Sequence, residues 1–364
     1  MYIHQRKEWP NFIWDQAIIA DLLAEIRYLQ GRLLGQMSTL GFQLREEATL
    51  QTLTQDVLKT SEIEGEMLNT EQVRSSIAKR LGLDIGAITQ TDRRVEGVVE
   101  IMLDATRHFD APITKDRLFR WHTALFPAGK SGIQRIAVGR WRTKESSIMQ
   151  VVSGPIGREK IHFEAPTYDR LKKEMAAFIK WFNTPSKIDL VIQSALAHFW
   201  FVTIHPFDDG NGRIARAISD MLLARSEQSK QRFYSMSSQI QRERNAYYHV
   251  LEHCQKGSVD ITAWIEWFLN CLKHAIPTSD KMLQNILIKA RFWTIHTGES
   301  FNERQRSILN RLLDGFYGKL TSSKWAKLTK CSQDTALRDI NDLLERHILI
   351  KDEARGRSTS YKLK

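Results

Sequence analysis

Two apolar runs with helical character, Ala195 to Ile204 and Ile214 to Leu223, are separated only by His205-Pro206-Phe207-Asp208-Asp209-Gly210-Asn211-Gly212-Arg213. That spacing allows a helix, a tight turn and a second helix, and little else. Gly210 and Gly212 let the backbone turn sharply and come close to a ligand, which residues with a Cβ resist. The helix opening after them directs unpaired N–H groups and the positive end of its dipole into the turn. The product is a nest for phosphate oxygens. Arg213 and Arg216, three apart, occupy neighbouring positions on the first turns and add charge-assisted donors. Asp209 is placed to hold a divalent cation against phosphates, and His205 to accept a proton.

Other ligand loops are excluded by pattern. The stretch lacks the spaced acids and closing Glu of an EF-hand, and no G-x-x-x-x-G-K-[ST] run occurs in the chain. The three cysteines (Cys254, Cys271, Cys331) have neither disulfide-framework nor zinc spacing, which suits a reducing cytoplasm. No signal core precedes the first helix and no run approaches membrane-spanning length, so no membrane partner is expected. A net charge of +11 on 364 residues points to an anionic partner, whether nucleotide, nucleic acid or acidic protein.

The stretch His205 to Arg216 resembles the H-x-F-x-[DE]-G-N-G-R-x-x-R signature of the Fic family, matching at His205, Phe207, Asp209, Gly210, Asn211, Gly212, Arg213 and Arg216. The resemblance implies transfer of AMP from ATP to a Ser, Thr or Tyr hydroxyl of a protein. His205 would then be the base and Asp209 the Mg²⁺ ligand. Gly210 to Gly212, with Asn211, would form the anion hole, Arg213 would bind the β-phosphate and Arg216 the γ-phosphate. Phe207 would anchor the loop. Fic relatives also transfer other phosphate-containing groups; the intact glycine-rich loop and both arginines favour a nucleoside triphosphate.

Upstream, residues 12 to 45 carry Ile18, Leu22, Ile26, Leu29 and Leu33 at helical spacing. A helix from about Glu46 to Glu64 ends at Gly65. Glutamates at that end are disfavoured by the helix dipole and call for a cationic partner. Thr60, Glu64 and Gly65 are similar to the [ST]-x-x-x-E-[GN] inhibitory motif of self-inhibited Fic proteins. That implies a brake in which Glu64 pairs with Arg216. Some such relatives use the equivalent glutamate to remove AMP, so a de-AMPylating direction is also implied. Residues 70 to 126 read as helical throughout.

Around residues 140 to 163 the texture changes to a β-hairpin about Gly154-Pro155-Ile156-Gly157, the one β element expected before the C-terminus. In Fic proteins a hairpin here is the flap, with Ile161 and His162 in register to receive an extended target segment. Tyr247, Tyr248 and Gln255 match in position the family residues that contact adenine and ribose, although the family often has Asn where Gln255 stands. Beyond residue 302, three short helices and a hairpin with Arg355-Gly356-Arg357 at its tip outline a winged helix-turn-helix. Residues 302 to 364 hold fourteen Lys/Arg against eight Asp/Glu. Ser332, Gln333, Thr335 and Arg338 would face outward from a recognition helix.

The expected fold is therefore mainly α: a helical N-terminal module (1–90), a Fic core with a β-hairpin flap (91–298) and a C-terminal winged helix-turn-helix (299–364). ATP, Mg²⁺ and a protein target are the expected partners, with DNA or a homodimer mate through the C-terminal module. The alternative function is a DNA-binding regulator whose Fic core only senses nucleotide.

Overall fold

The computed structural model describes residues 1–84, 90–144, 148–153, 158, 160–313, 316, 318–352 and 359–364. The chain divides into two compact units, Met1–Asp280 and Lys281–Lys364. Both are mainly helical, as the apolar periodicities predict.

The first unit opens with α1 (Gln16–Ser38), α2 (Phe42–Ile63) and α3 (Thr70–Leu81), followed by α4 (Arg93–Arg107) and α5 (Lys115–Leu125). The stretch 70 to 126 is thus not continuous helix. Gly82, at φ +72°, stops α3, while Asp92 and Thr114 cap α4 and α5 with their side-chain oxygens. Two short hairpins follow: β1 (Lys130–Ser131) with β2 (Gln134–Arg135), and β3 (Gln150–Ser153) with β4 (Lys160–Glu164). The β1–β2 pair corrects the expectation of a single hairpin. Strands of two residues are too short to show any alternation. Turn residues Gly154 to Gly157 and the preceding Ser147 lie outside the described residues.

The rest of the unit comprises α6 (Leu171–Asn183), α7 (Leu190–Ile204), α8 (Asn211–Glu227), α9 (Met236–Arg242), α10 (Arg244–Gln255) and α11 (Thr262–Ile295). α11 runs on through Pro277, so the division between units falls inside a helix and not near residue 298. Every residue of α7 from Val191 to Ile204 is buried, as suits a helix apolar on all sides. It forms the core of the unit and packs on α8, with Ser194 Oγ donating to the Ser219 carbonyl at 3.0 Å. α2 lies over α8 as well as α3, α4 and α9, which carries its C-terminus to the start of α8. Gly97 marks a close crossing of α4 and α5, because a Cβ there would overlap the Ala124 carbonyl.

The N-terminal segment braces the β3–β4 hairpin. His4 Nε2 donates to the Glu164 carbonyl at 2.8 Å, and Tyr2 meets Phe163 edge to face at 5.2 Å. β4 does not alternate regularly: Phe163 is buried, whereas Ile161, two residues before it, is exposed opposite exposed Val152, and the pairing shifts register between Val151 and Val152.

The second unit contains α12 (Glu303–Leu313), α13 (Ser322–Thr329) and α14 (Gln333–Glu345), then the antiparallel pair β5 (Leu349–Lys351) and β6 (Tyr361–Leu363). Ile308, Trp325, Ile340 and Leu343 are fully buried in its own core. Ser332 is the N-cap of α14 and accepts from Thr335 N–H at 3.2 Å. Gln333 donates to Ser323 Oγ at 2.8 Å, and Arg338 is exposed. Arg355, Gly356 and Arg357 lie outside the described residues.

Candidate active site

The loop between α7 and α8 is shaped from both ends. His205 closes α7 in the left-handed region (φ 51°, ψ 60°), and its N–H donates to Phe201 O at 3.0 Å. Gly210 (φ 81°) opens α8, and no side chain caps that helix. The first-turn amides therefore face the loop cavity with the dipole's positive end, as the glycine pattern predicts. A Cβ at Gly210 would stand 2.9 Å from Phe126 Cε2, so a larger residue is excluded there by sterics as well as by φ.

Phe207 pins the loop. It is wholly buried and stacks on His122 with ring centroids 4.1 Å apart and planes 6° apart. Both ends of the Asn211 amide are spent on Phe207: Oδ1 accepts from its N–H at 3.0 Å and Nδ2 donates to its carbonyl at 2.8 Å. The Asn211 side chain thus shapes the loop, leaving only its backbone for an anion. His122 is fixed from two sides. Gly139 N–H donates to Nδ1 at 3.1 Å, so Nε2 carries the proton and donates to the Asp209 carbonyl at 3.2 Å. Burial pushes the His122 pKa down to about 4, the nearby Asp209 carbonyl and the Asp208 and Asp209 charges offsetting only part of that.

His205 is half-buried, and its Nδ1 lies 3.1 Å from the Val202 carbonyl. A carbonyl only accepts, so Nδ1 bears the hydrogen and Nε2 of the neutral ring is the bare base. Burial lowers the His205 pKa below its ordinary value; the Val202 contact opposes this, and the Arg142 guanidinium adds to it. Arg142 holds the loop's entry. Its N–H donates to Pro206 O at 2.9 Å, its Nε to His205 O at 2.8 Å and its Nη2 to Pro166 O. Burial brings its pKa down to about 10, so it remains a cation at neutral pH.

Asp209 is 38% exposed at the side chain; Oδ2 accepts from Ser131 Oγ on β1, and Oδ1 lies 3.9 Å from Arg213 Nη2. Oδ1 also accepts from Gly210 N–H at 2.5 Å, and this partly exposed carboxylate beside an anion nest fits Mg²⁺, a hard cation that takes one or two carboxylates plus substrate phosphates.

Both signature arginines, Arg213 and Arg216, are buried on α8, and each is engaged by a glutamate at or just beyond the end of α2. Arg216 Nη2 is 2.7 Å from Glu64 Oε1, while its Nε and Nη2 reach Thr60 Oγ1 and O at 2.7 and 2.9 Å. Arg213 Nη1 is 2.7 Å from Glu66 Oε2. The Glu64 carboxylate lies so close to Gly212 that a Cβ there would overlap it. Arg213 Nε and Arg216 Nη1 are buried without a hydrogen-bond partner. Beside them a cleft of about 530 Å³ is lined by Glu64, Glu66, Arg94, Lys130, Asp209 and Arg213.

The residues matched to adenine and ribose contacts divide. Tyr247 is 2% exposed and its hydroxyl sits 2.9 Å from His198 Nε2; Gln255 is buried on Thr203 Oγ1 at 3.2 Å. Of the three only Tyr248 presents surface, with its hydroxyl near the Ile63 carbonyl. On β4, Ile161 is exposed and His162 Nδ1 lies 2.6 Å from Glu252 Oε2. Glu66, Ser131, His122 and the clamping role of Arg142 were not read from the sequence. Only Glu66 had a signal: a second acid two residues beyond a glutamate already at odds with its helix end.

The sequence profile of the Fic/DOC family matches residues 112–223, and one described as a domain of unknown function (DUF4172) matches residues 2–83. Among curated proteins, the chain is similar to the protein adenylyltransferase Fic of Drosophila yakuba, 34% identical over 104 residues, which are 28% of this chain and 19% of that protein. The Nematostella vectensis protein of the same name is 33% identical over 113 residues, 30% of this chain and 25% of that one. The chain thus spans a quarter or less of these relatives. A Fic family protein from Desulfovibrio desulfuricans G20 shares the fold at a TM-score of 0.58 and 22% identity, over 96% of this chain and 97% of that one. A Fic domain containing signaling protein from Bacteroides thetaiotaomicron gives 0.52 at 18% identity, over 79% and 99%. With the signature loop and its histidine both inside the matched segment, residues 112–223 form a Fic domain.

Proposed function

We propose that this chain is a protein adenylyltransferase, moving AMP from ATP onto Ser, Thr or Tyr hydroxyls of target proteins and of itself, and held nearly silent by Glu64. The observation that carries the reading is the juxtaposition of an uncapped, glycine-lined helix start with a neutral imidazole whose bare Nε2 is left over for a proton. The target hydroxyl oxygen attacks the α-phosphorus, the bond to the bridging oxygen of the β-phosphate breaks, and pyrophosphate leaves with the electron pair. The hydroxyl proton passes to His205 Nε2. The Gly210 to Gly212 backbone amides stabilise charge on the α-phosphate, and Arg213 and Arg216 hold the β- and γ-phosphates. Asp209 is the residue that would hold Mg²⁺, which supplies charge neutralisation at the phosphates. Positioning and fixed dipoles supply most of the rate, because little covalent work falls to the protein.

Glu64 supports the self-inhibited part of the reading: its carboxylate takes a donor of Arg216 and the space over Gly212. Exposed Val152 and Ile161 on the β3–β4 hairpin support its role as a flap for an extended target segment. The test is mass spectrometry of Glu64→Gly protein after incubation with ATP and magnesium. An adenylyl increment is expected on the protein itself and on proteins of a lysate, and none with His205→Ala. Absence of any increment on Glu64→Gly protein would remove the transferase reading.

A further inference from the structure

Glu66 has no part in the signature or in the inhibitory motif, yet it engages the one signature arginine that Glu64 leaves open. Its Oε2 lies 2.7 Å from Arg213 Nη1, and its Oε1 lies 3.9 Å from Arg94 Nη1 across the cleft. Arg213 is only 8% exposed and Glu66 27%, so the pair sits at the cleft wall and not on open surface. A carboxylate bound to a buried guanidinium beside an anion nest occupies the position that a phosphate oxygen takes.

The backbone makes the two glutamates one device. Glu64 N–H donates to Ser61 O at 3.0 Å, Gly65 N–H to Glu62 O at 2.9 Å and Glu66 N–H again to Ser61 O at 3.0 Å. Three hydrogen bonds wind 64 to 66 into a tight cap on α2, with Gly65 at φ +82°. Glu64 therefore cannot swing off Arg216 by backbone motion without moving Glu66 on Arg213.

We infer that Glu66 is a second internal anion, standing on Arg213 where a nucleotide's β-phosphate would bind, and that the Glu64-Gly65-Glu66 turn releases both arginines together. This rests on the nucleotide-transfer reading above. A triphosphate must displace two carboxylates, whereas AMP, with no β-phosphate, leaves Glu66 on Arg213. Glu66 thus sets how strongly the resting protein discriminates against ATP relative to AMP.

The test is calorimetric titration with ATP and with AMP, magnesium present, on full-length His205→Ala protein so that no turnover intervenes. Adding Glu66→Ala is expected to tighten ATP about tenfold, the worth of one charge-assisted contact, and to leave AMP within about twofold. Glu66→Gln keeps the side chain's shape and should tighten ATP in the same direction, which separates lost charge from lost packing. Gly65→Ala touches neither arginine, and a Cβ there meets nothing within 4 Å, so it acts only by straining the turn. It should tighten ATP as well. Unchanged ATP affinity in Glu66→Ala, or equal tightening of ATP and AMP, overturns the second anion; unchanged affinity in Gly65→Ala overturns the coupled release. If Glu64→Gly on the same background tightens ATP while Glu66→Ala does not, the inference fails and the transferase reading stands. If neither variant binds ATP, both fall.

Discussion

Oε1 of Glu64 stands 2.7 Å from Nη2 of Arg216, an arginine only 2% exposed. Thr60 holds the same guanidinium through Nε and through that same Nη2. Glu64→Gly removes the carboxylate and leaves Thr60 to orient the arginine for a γ-phosphate. Self-modification, followed with labelled ATP, should rise at least tenfold, roughly the worth of one charge-assisted contact. Without nucleotide the same variant should lose about 1–3 kcal/mol of stability, because a buried cation has lost its partner. ATP should restore more of that loss than AMP does, read as the shift in thermal midpoint.

A base that must be neutral sets the pH profile. Burial lowers the His205 pKa below its ordinary 6.5, so the imidazole stays unprotonated at pH 7. The rate of Glu64→Gly protein should be flat above neutrality and fall on acidification, with its midpoint below that value. Arg142 contributes to the depression, so Arg142→Gln should move the midpoint up while slowing the reaction. A midpoint that stays put would remove Arg142 from the electrostatics of the base.

Arg142 is also the mechanical clamp on the loop. Its side chain serves the carbonyls of His205 and Pro166 while its backbone N–H serves Pro206. Truncation to Ala leaves buried acceptors unpaired and frees the left-handed residue that carries the base. A stability loss of about 3 kcal/mol is expected. In the Glu64→Gly background kcat should drop by at least about tenfold with ATP affinity little changed, since phosphate binding belongs to α8. Steady-state kinetics would separate the two.

Why some of this site could be read from the chain and some could not follows from sequence separation. The loop is local: glycines, histidine and arginines lie within twelve residues, and their chemistry follows from helix geometry alone. Glu64 stood out because a helix C-terminus disfavours it. By contrast Glu66 meets Arg213 147 residues on, Ser131 meets Asp209 across 78, Arg142 meets His205 across 63 and His122 meets Asp209 across 87. No periodicity encodes such pairings. Tyr247 and Gln255 show the converse: matching positions said where they fall in the chain, while packing decided that both face inward.

The His122–Phe207 stack makes the site's scaffold acid-sensitive. His122 is fully buried and its ring is committed on both nitrogens in the neutral form. Its pKa is held near about 4 when folded against about 6.5 when unfolded, so the unfolded chain binds the extra proton throughout that interval. Stability from this group is therefore complete above pH 6.5 and is lost progressively as pH falls towards 4, by about 3 kcal/mol in all. His198, brought down to about 3 by burial and by Arg216, adds in the same direction. The interval from pH 6.5 to 5 lies between the unfolded and the folded values of these two histidines. Chemical unfolding at pH 7 and pH 5 should show a loss on acidification that shrinks by about 2 kcal/mol in His122→Gln. Gln can still accept from Gly139 and donate to Asp209 but cannot take up a proton. An unchanged loss in that variant would show that His122 is already free to charge in the folded protein.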